Sequence, residues 1–195
     1  MSIEIELKAW VADPEALSNT LNAGSSPARF SRAFEKEDTY WYPVPGITAS
    51  SFPFSGIRIR RETTTDVHGT LIQQVLITYK TKELREGIEV NDEREFSVSD
   101  GSIFEDLLMR LGFEPGIGKH KQGQAWDYEG ITVELAQISS LGWFVELELL
   151  EDNTHAETVA AARTRLLDLL HRLGIGTDQI EPRYYTELLK AERGR

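Results

Sequence analysis

The chain has 195 residues, 40% hydrophobic and 27% charged, which suits one soluble globular domain spanning residues 1–195. Its formal charge of −11 argues against a general nucleic-acid or anionic-membrane surface, because such surfaces are held by clustered Lys and Arg. It has no cysteine, which excludes disulfides, thiolate metal sites and cysteine nucleophiles, and no apolar run reads as a signal-peptide core or a bilayer span.

Residues 3–11 alternate, with Ile3, Ile5 and Leu7 on one face and Glu4, Glu6 and Lys8 on the other, which predicts a strand. Asp13-Pro14 supplies an N-cap and a proline at the first helical position, Leu17 and Leu21 share a helical face, and Gly24 is the expected stop. Residues 34–42 read as the second strand, and residues 43–56, rich in Pro, Ser and Gly, as a long loop suited to a flap. Strands follow at 57–62, 71–80 and 88–98, the last with Glu89, Asn91, Glu93 and Glu95 on one face. A helix over 102–111 ends at Gly112, and strands at 119–128, 131–136 and 143–149 complete the set. Thr154 and Glu157 match a capping box opening a helix that runs to Gly174, and a last short helix spans 184–190. Residues 107–113 echo 169–175, which shared capping chemistry explains, with glycine past the helix end and an apolar residue after it. The pattern predicts an α+β fold that is mainly antiparallel β.

The polar strand faces are unusual. They carry Glu4 and Glu6, Arg58 and Arg60, Thr78 and Lys80, Glu93 and Glu95, Lys119 and Lys121, and Glu146 and Glu148. Any single pair is explained by a solvated face, since exposed charges are common. Like charges two apart repel, however, so a whole set makes better sense if the faces converge on a shared ligand. Carboxylates would hold a hard divalent cation, and Arg and Lys would hold phosphate oxygens. A closed barrel is the geometry that turns one face of every strand inward. The pattern itself names no anion.

In this order the residues resemble the CYTH superfamily, the triphosphate tunnel metalloenzymes that include class IV adenylyl cyclases and thiamine triphosphatases. Glu4-x-Glu6-x-Lys8 resembles the family's opening strand, Asp38-Thr39-Tyr40 its D-x-Y element, Arg58-Ile59-Arg60 its R-x-R strand and Thr78-Tyr79-Lys80 its T-x-K strand. Glu93 and Glu95 fit the acidic central strand, and Lys119-His120-Lys121 the basic one. Residues 141–148 are similar to the L-G-x-F-V-E-x-E strand, and residues 183–189 to the closing helix. Two departures stand out: Ala136 occupies a position where the family has Asp, with Glu134 as its stand-in, and Asn91 stands where arginine is common.

The resemblance implies an eight-stranded antiparallel β-barrel with flanking helices, holding a triphosphate with Mg2+ or Mn2+. It assigns Glu4, Glu6, Glu146 and Glu148 to the metal, with Glu134, Glu93 and Glu95 as further ligands. Arg58, Arg60, Lys80, Lys119 and Lys121 would neutralise the phosphates, assisted by Lys8 and Arg183. Tyr40 beside Lys80 would activate water. The expected activity is cleavage of a phosphoanhydride in tripolyphosphate, a nucleoside triphosphate or thiamine triphosphate. The alternatives are cyclisation of ATP to cyclic AMP and pyrophosphate, or a non-catalytic polyphosphate-binding module. A cytoplasmic protein, monomeric or homodimeric, with a small-molecule substrate and no nucleic-acid or membrane partner is expected. His68 is read as a turn residue beside Gly69, His155 and His171 as surface residues of the long helix, His120 as pointing outward or into the shell, and the four tryptophans as packing residues.

Overall fold

Strand β1 (Ile3–Trp10) buries Ile3, Ile5, Leu7 and Ala9 and turns Glu4 and Glu6 the other way, as a period of two requires. The structure is a computed structural model and describes residues 3–44 and 56–194, so most of the expected 43–56 flap lies outside the described residues. After α1 (Pro14–Asn22) come β2 (Ala28–Pro43), β3 (Ile57–Asp66), β4 (Leu71–Arg85) and β5 (Ile88–Val98). Helix α2 (Gly101–Arg110) precedes β6 (Phe113–Tyr128), β7 (Ile131–Ile138) and β8 (Gly142–Glu151). Helix α3 (Ala156–Arg172), a 3-10 turn and α4 (Tyr185–Arg193) finish the chain.

The strands close in a ring in the order β1-β5-β4-β3-β2-β6-β7-β8, and every neighbouring pair is antiparallel. This is the eight-stranded antiparallel barrel with flanking helices that the family resemblance implies. Its polarity is inverted relative to a small barrel with an apolar filling: charged faces point inward, and apolar faces point out under the helices. The largest apolar cluster joins Ile5, Leu7, Val133, Val145 and Leu147 on the barrel wall to Leu17 and Leu21 of α1 and to Val159, Ala162, Leu166 and Leu170 of α3. Helix α2 covers Trp41, Ile59 and Ile77 through Leu108, and α4 covers Ile138 and Phe144 through Tyr185 and Leu188.

Local chemistry sets the boundaries. Asp13 caps α1 by accepting from the Ala16 N–H at 2.9 Å, and the helix ends on Ala23, one residue before the expected Gly24. Two-residue turns with positive φ, Glu86-Gly87 and Glu129-Gly130, join β4 to β5 and β6 to β7, as tight hairpins demand. Several strands outrun their expected limits. β6 begins at Phe113 because Pro115 falls at a register shift beside Thr39/Trp41, where the missing N–H costs no ladder bond. The Thr154/Glu157 capping box does not form. The N-cap is His155, without a side-chain bond, and Asn153 Oδ1 instead accepts from the His155 N–H at 2.9 Å and the Thr158 hydroxyl at 2.8 Å.

Candidate functional site

The inward strand faces line one cavity of about 440 Å3. β1 contributes Glu4 and Glu6, β8 Glu146 and Glu148, and β7 Glu134; the register sets Glu6 opposite Glu148 and Glu134 opposite Glu146. β2 brings Arg32, Lys36 and Tyr40, β3 Arg58, Arg60 and Glu62, and β4 Lys80. β5 adds Glu89, Glu93 and Glu95, β6 adds Lys119 and Lys121, and Tyr184 and Tyr185 close the wall.

Almost every cation of the wall is held by a carboxylate. Asp38, whose side chain is fully buried, takes Arg60 through two bonds of 2.7 and 2.9 Å and Lys119 at 3.1 Å. These partners outweigh burial and keep the Asp38 carboxyl well below the usual range. Glu134 gathers Arg32 at 2.8 Å, Lys36 at 2.9 Å and Lys121 at 2.7 Å. Glu93 takes Arg58 at 3.0 Å and Lys80 at 2.9 Å, and despite burial these two cations lower it to about 2. Lys121 also bonds Glu146, and Lys80 reaches Glu4 at 3.5 Å. Burial, helped by the nearby charges of Lys121 and Arg60, pulls Lys36 down to about 8 against the opposing pull of Glu134.

Opposite these pairs stands a wall of carboxylates, Glu4, Glu6, Glu146 and Glu148, with fewer cations than charges. Burial, then Glu146, Glu89 and Glu4, push Glu6 well above the carboxylate range. Burial, then Glu4, Glu134 and Glu146, push Glu148 up to about 8. Glu146 Oε1 is buried without a hydrogen-bond partner, and burial and the neighbouring Glu146 push the Tyr185 hydroxyl well above its ordinary value. No three acidic or histidine side chains among the described residues converge closely enough to hold an ion as they stand. The donor set nevertheless fits a hard divalent cation, being all oxygen, with one orphaned carboxylate oxygen and two acids that resist ionising without a positive charge.

The cavity thus brings together Glu4, Glu6, Tyr40, Arg58, Arg60, Lys80, Glu93, Glu95, Lys119, Lys121, Glu134, Glu146 and Glu148. Two expected members sit elsewhere. Lys8, on the same strand face as Glu4 and Glu6, is buried and not part of the lining; it is bonded to Glu89 at 3.1 Å and lies 4.9 Å from the Tyr185 ring, both of which line the cavity. Arg183 is largely exposed and pairs with Glu181 at 2.6 Å. Tyr40 is opposite Arg58, two strands from Lys80, rather than beside it. His120 points outward to Glu35 and Ser139 at 2.9 and 3.0 Å. Sequence reasoning passed over Arg32, Lys36 and Glu62, and it placed Glu89 on the face of Glu93 and Glu95 without giving it a role. Lys36 shares parity with Asp38 and Tyr40, and Glu62 with Arg58 and Arg60, so extending the alternation by one step finds both.

No helix among the described residues is long and apolar enough to cross a membrane. No curated protein matches the chain. Among solved structures it is similar to a protein of Pyrococcus horikoshii OT3, at 26% identity and a TM-score of 0.76, over 97% of this chain and 99% of that one. Two more distant likenesses bear on the fold alone. One is an adenylate cyclase candidate from Vibrio parahaemolyticus, at 17% identity and a TM-score of 0.74, over 96% and 98% of the two chains. The other is an adenylyl cyclase candidate from Hippeastrum with a dominant triphosphatase activity, at 18% identity and a TM-score of 0.62, over 100% and 97%. The CYTH domain model matches residues 2–185, across all eight strands and into the closing helix, and the chain belongs to the CYTH domain family.

Proposed function

We propose that the protein is a divalent-metal-dependent triphosphatase, cleaving a phosphoanhydride of a triphosphate held in the tunnel. CYTH proteins typically act on triphosphates, as triphosphatases or adenylyl cyclases, and use divalent metal ions. The observation that carries the reading is the division of the tunnel between seven lysines and arginines and a wall of under-neutralised glutamates. Phosphoryl transfer needs positioning and charge stabilisation more than covalent chemistry, and such a cradle supplies both.

In this reading Glu4, Glu6, Glu146 and Glu148 hold Mg2+ or Mn2+, which would polarise phosphate oxygens when bound. Arg58, Arg60, Lys80, Lys119 and Lys121 bind the phosphate chain, with Arg32 and Lys36 extending the cationic wall. Glu93 and Glu134 serve as counter-ions that keep the cations ordered until the anion arrives, and Glu95 does so nearer the mouth. Tyr40, flanked by Arg58 and Arg60, is the hydroxyl suited to orienting the attacking water, and Lys80 the ammonium suited to the leaving oxygen. Lys8 acts indirectly, by holding Glu89 in the cavity lining, and Arg183, exposed and paired with Glu181, is assigned no part.

Hydrolysis is favoured over cyclisation because the lining among the described residues is mostly charged, with Leu76 its one aliphatic side chain, a surface that suits a phosphate chain better than a purine. The test is to incubate the protein with Mg2+ or Mn2+ and tripolyphosphate, ATP or thiamine triphosphate, and to resolve phosphate, pyrophosphate and cyclic AMP. Phosphate release abolished by Glu6→Gln supports the proposal. Cyclic AMP with pyrophosphate selects the cyclase, unchanged turnover in Glu6→Gln removes the metal assignment, and absence of any product favours a binding module.

A further inference from the structure

Most of the tunnel's ion pairs join a phosphate-binding cation to a carboxylate outside the metal wall. Asp38 holds Arg60 and Lys119, Glu134 holds Arg32 and Lys36, and Glu93 holds Arg58. Two lysines differ. Lys80 lies between Glu93 at 2.9 Å and Glu4 at 3.5 Å, and Lys121 between Glu134 at 2.7 Å and Glu146. Each bridges the anion side of the tunnel to a carboxylate of the metal wall.

We infer, taking the triphosphatase reading as given, that Lys80 and Lys121 couple the metal and anion sites. A divalent cation on the wall takes Glu4 and Glu146 from these two ammonium groups and releases their charge to the incoming anion. All seven lysines and arginines of the metal-free lining are already paired with carboxylates, so a bare polyanion entering the cavity must displace those partners. Two buried oxygens at the wall have no hydrogen-bond partner: Asn91 holds Glu4 at 3.2 Å through its amide nitrogen while its Oδ1 is unbonded, and so is Glu146 Oε1. The wall is therefore incomplete as it stands, and its carboxylates are anchored for a further ligand. Coupling of binding free energies is reciprocal, so the anion tightens the metal by the factor with which the metal tightens the anion.

Sulfate and Mn2+ test this without turnover, because sulfate pairs only weakly with Mn2+ in water and does not carry it in as a complex. Calorimetric titration of Mn2+ in sulfate and in chloride at matched ionic strength is expected to give affinity about tenfold tighter in sulfate, with the same factor when the order is reversed. In Lys80→Gln and in Lys121→Gln, Mn2+ alone is expected to bind more tightly than in the unaltered protein, because its competitor for the carboxylate is gone, and the sulfate factor is expected to fall to about threefold or less. Thermal melts confirm that each variant is folded, and the measurement on the unaltered protein stands without them. Independent binding of the two ions, or an undiminished factor in both lysine variants, overturns the coupling and leaves the triphosphatase reading in place. If neither ion binds, both fall.

Discussion

Asp38 shows how much one buried carboxylate organises: it fixes the guanidinium of Arg60 and the ammonium of Lys119 in a single geometry. Asp38→Asn leaves two buried cations short of a counter-charge, and a loss of about 3 kcal/mol in urea-unfolding free energy is expected, since breaking a buried pair costs more than the pair contributes. Glu148 works in the opposite direction. Its folded value of about 8 lies above its ordinary 4.5, so the carboxyl carries no penalty below about 4.5 and its full penalty once the pH passes 8. The metal-free protein is expected to lose melting temperature across that window. Mn2+ should raise the melting temperature more at pH 8 than at pH 5.5, and Glu148→Gln should flatten the loss. A metal-free melting curve that rises from pH 5 to 8 contradicts the crowded acid wall.

Helix ends and strand limits show what was legible in the sequence and what was not. The strands were visible because polar and apolar residues alternate, and so were the paired charges that face the tunnel. Their ends were hidden where chemistry and geometry disagree, as at Pro115, which looks like a loop residue and sits at an irregularity of β6. Arg32 keeps the parity of Lys36, Asp38 and Tyr40, but it lies before residue 34, where the second strand was expected to begin. Arg183 was legible as a basic residue at the head of the closing helix, but only the fold reveals that Glu181 claims it. Thr154 matched a capping pattern that Asn153 fulfils. Asn153→Ala is accordingly expected to cost about 1 kcal/mol, and Thr154→Ala a few tenths, by chemical denaturation. Gly174, at φ 77 and closing α3 with bonds from its own N–H to His171 and from Ile175 to Leu170, should cost about 1 kcal/mol when changed to alanine.

At the scale of the whole molecule the ring depends on close backbone approach between β6 and β7. A methyl group added at Gly123 would stand 2.1 Å from the Leu135 carbonyl oxygen and 2.7 Å from Ala136 Cα, both backbone atoms of β7 that cannot swing aside. Gly123→Ala is expected to destabilise the fold by about 3 kcal/mol or more and to weaken sulfate binding, read by melting and calorimetry on the same preparation. Closure of the ring also sets an order of events during synthesis. Ile3 pairs with Glu151, so the first strand made waits for the last before its ladder is complete. A nascent chain halted at residue 141 would be an open seven-stranded sheet with β1 and β7 as bare edges, the geometry that recruits other chains. Glu4 and Glu6 emerge first and meet Glu146 and Glu148 only when β8 arrives, so the acid wall and the seal against aggregation form in one late step.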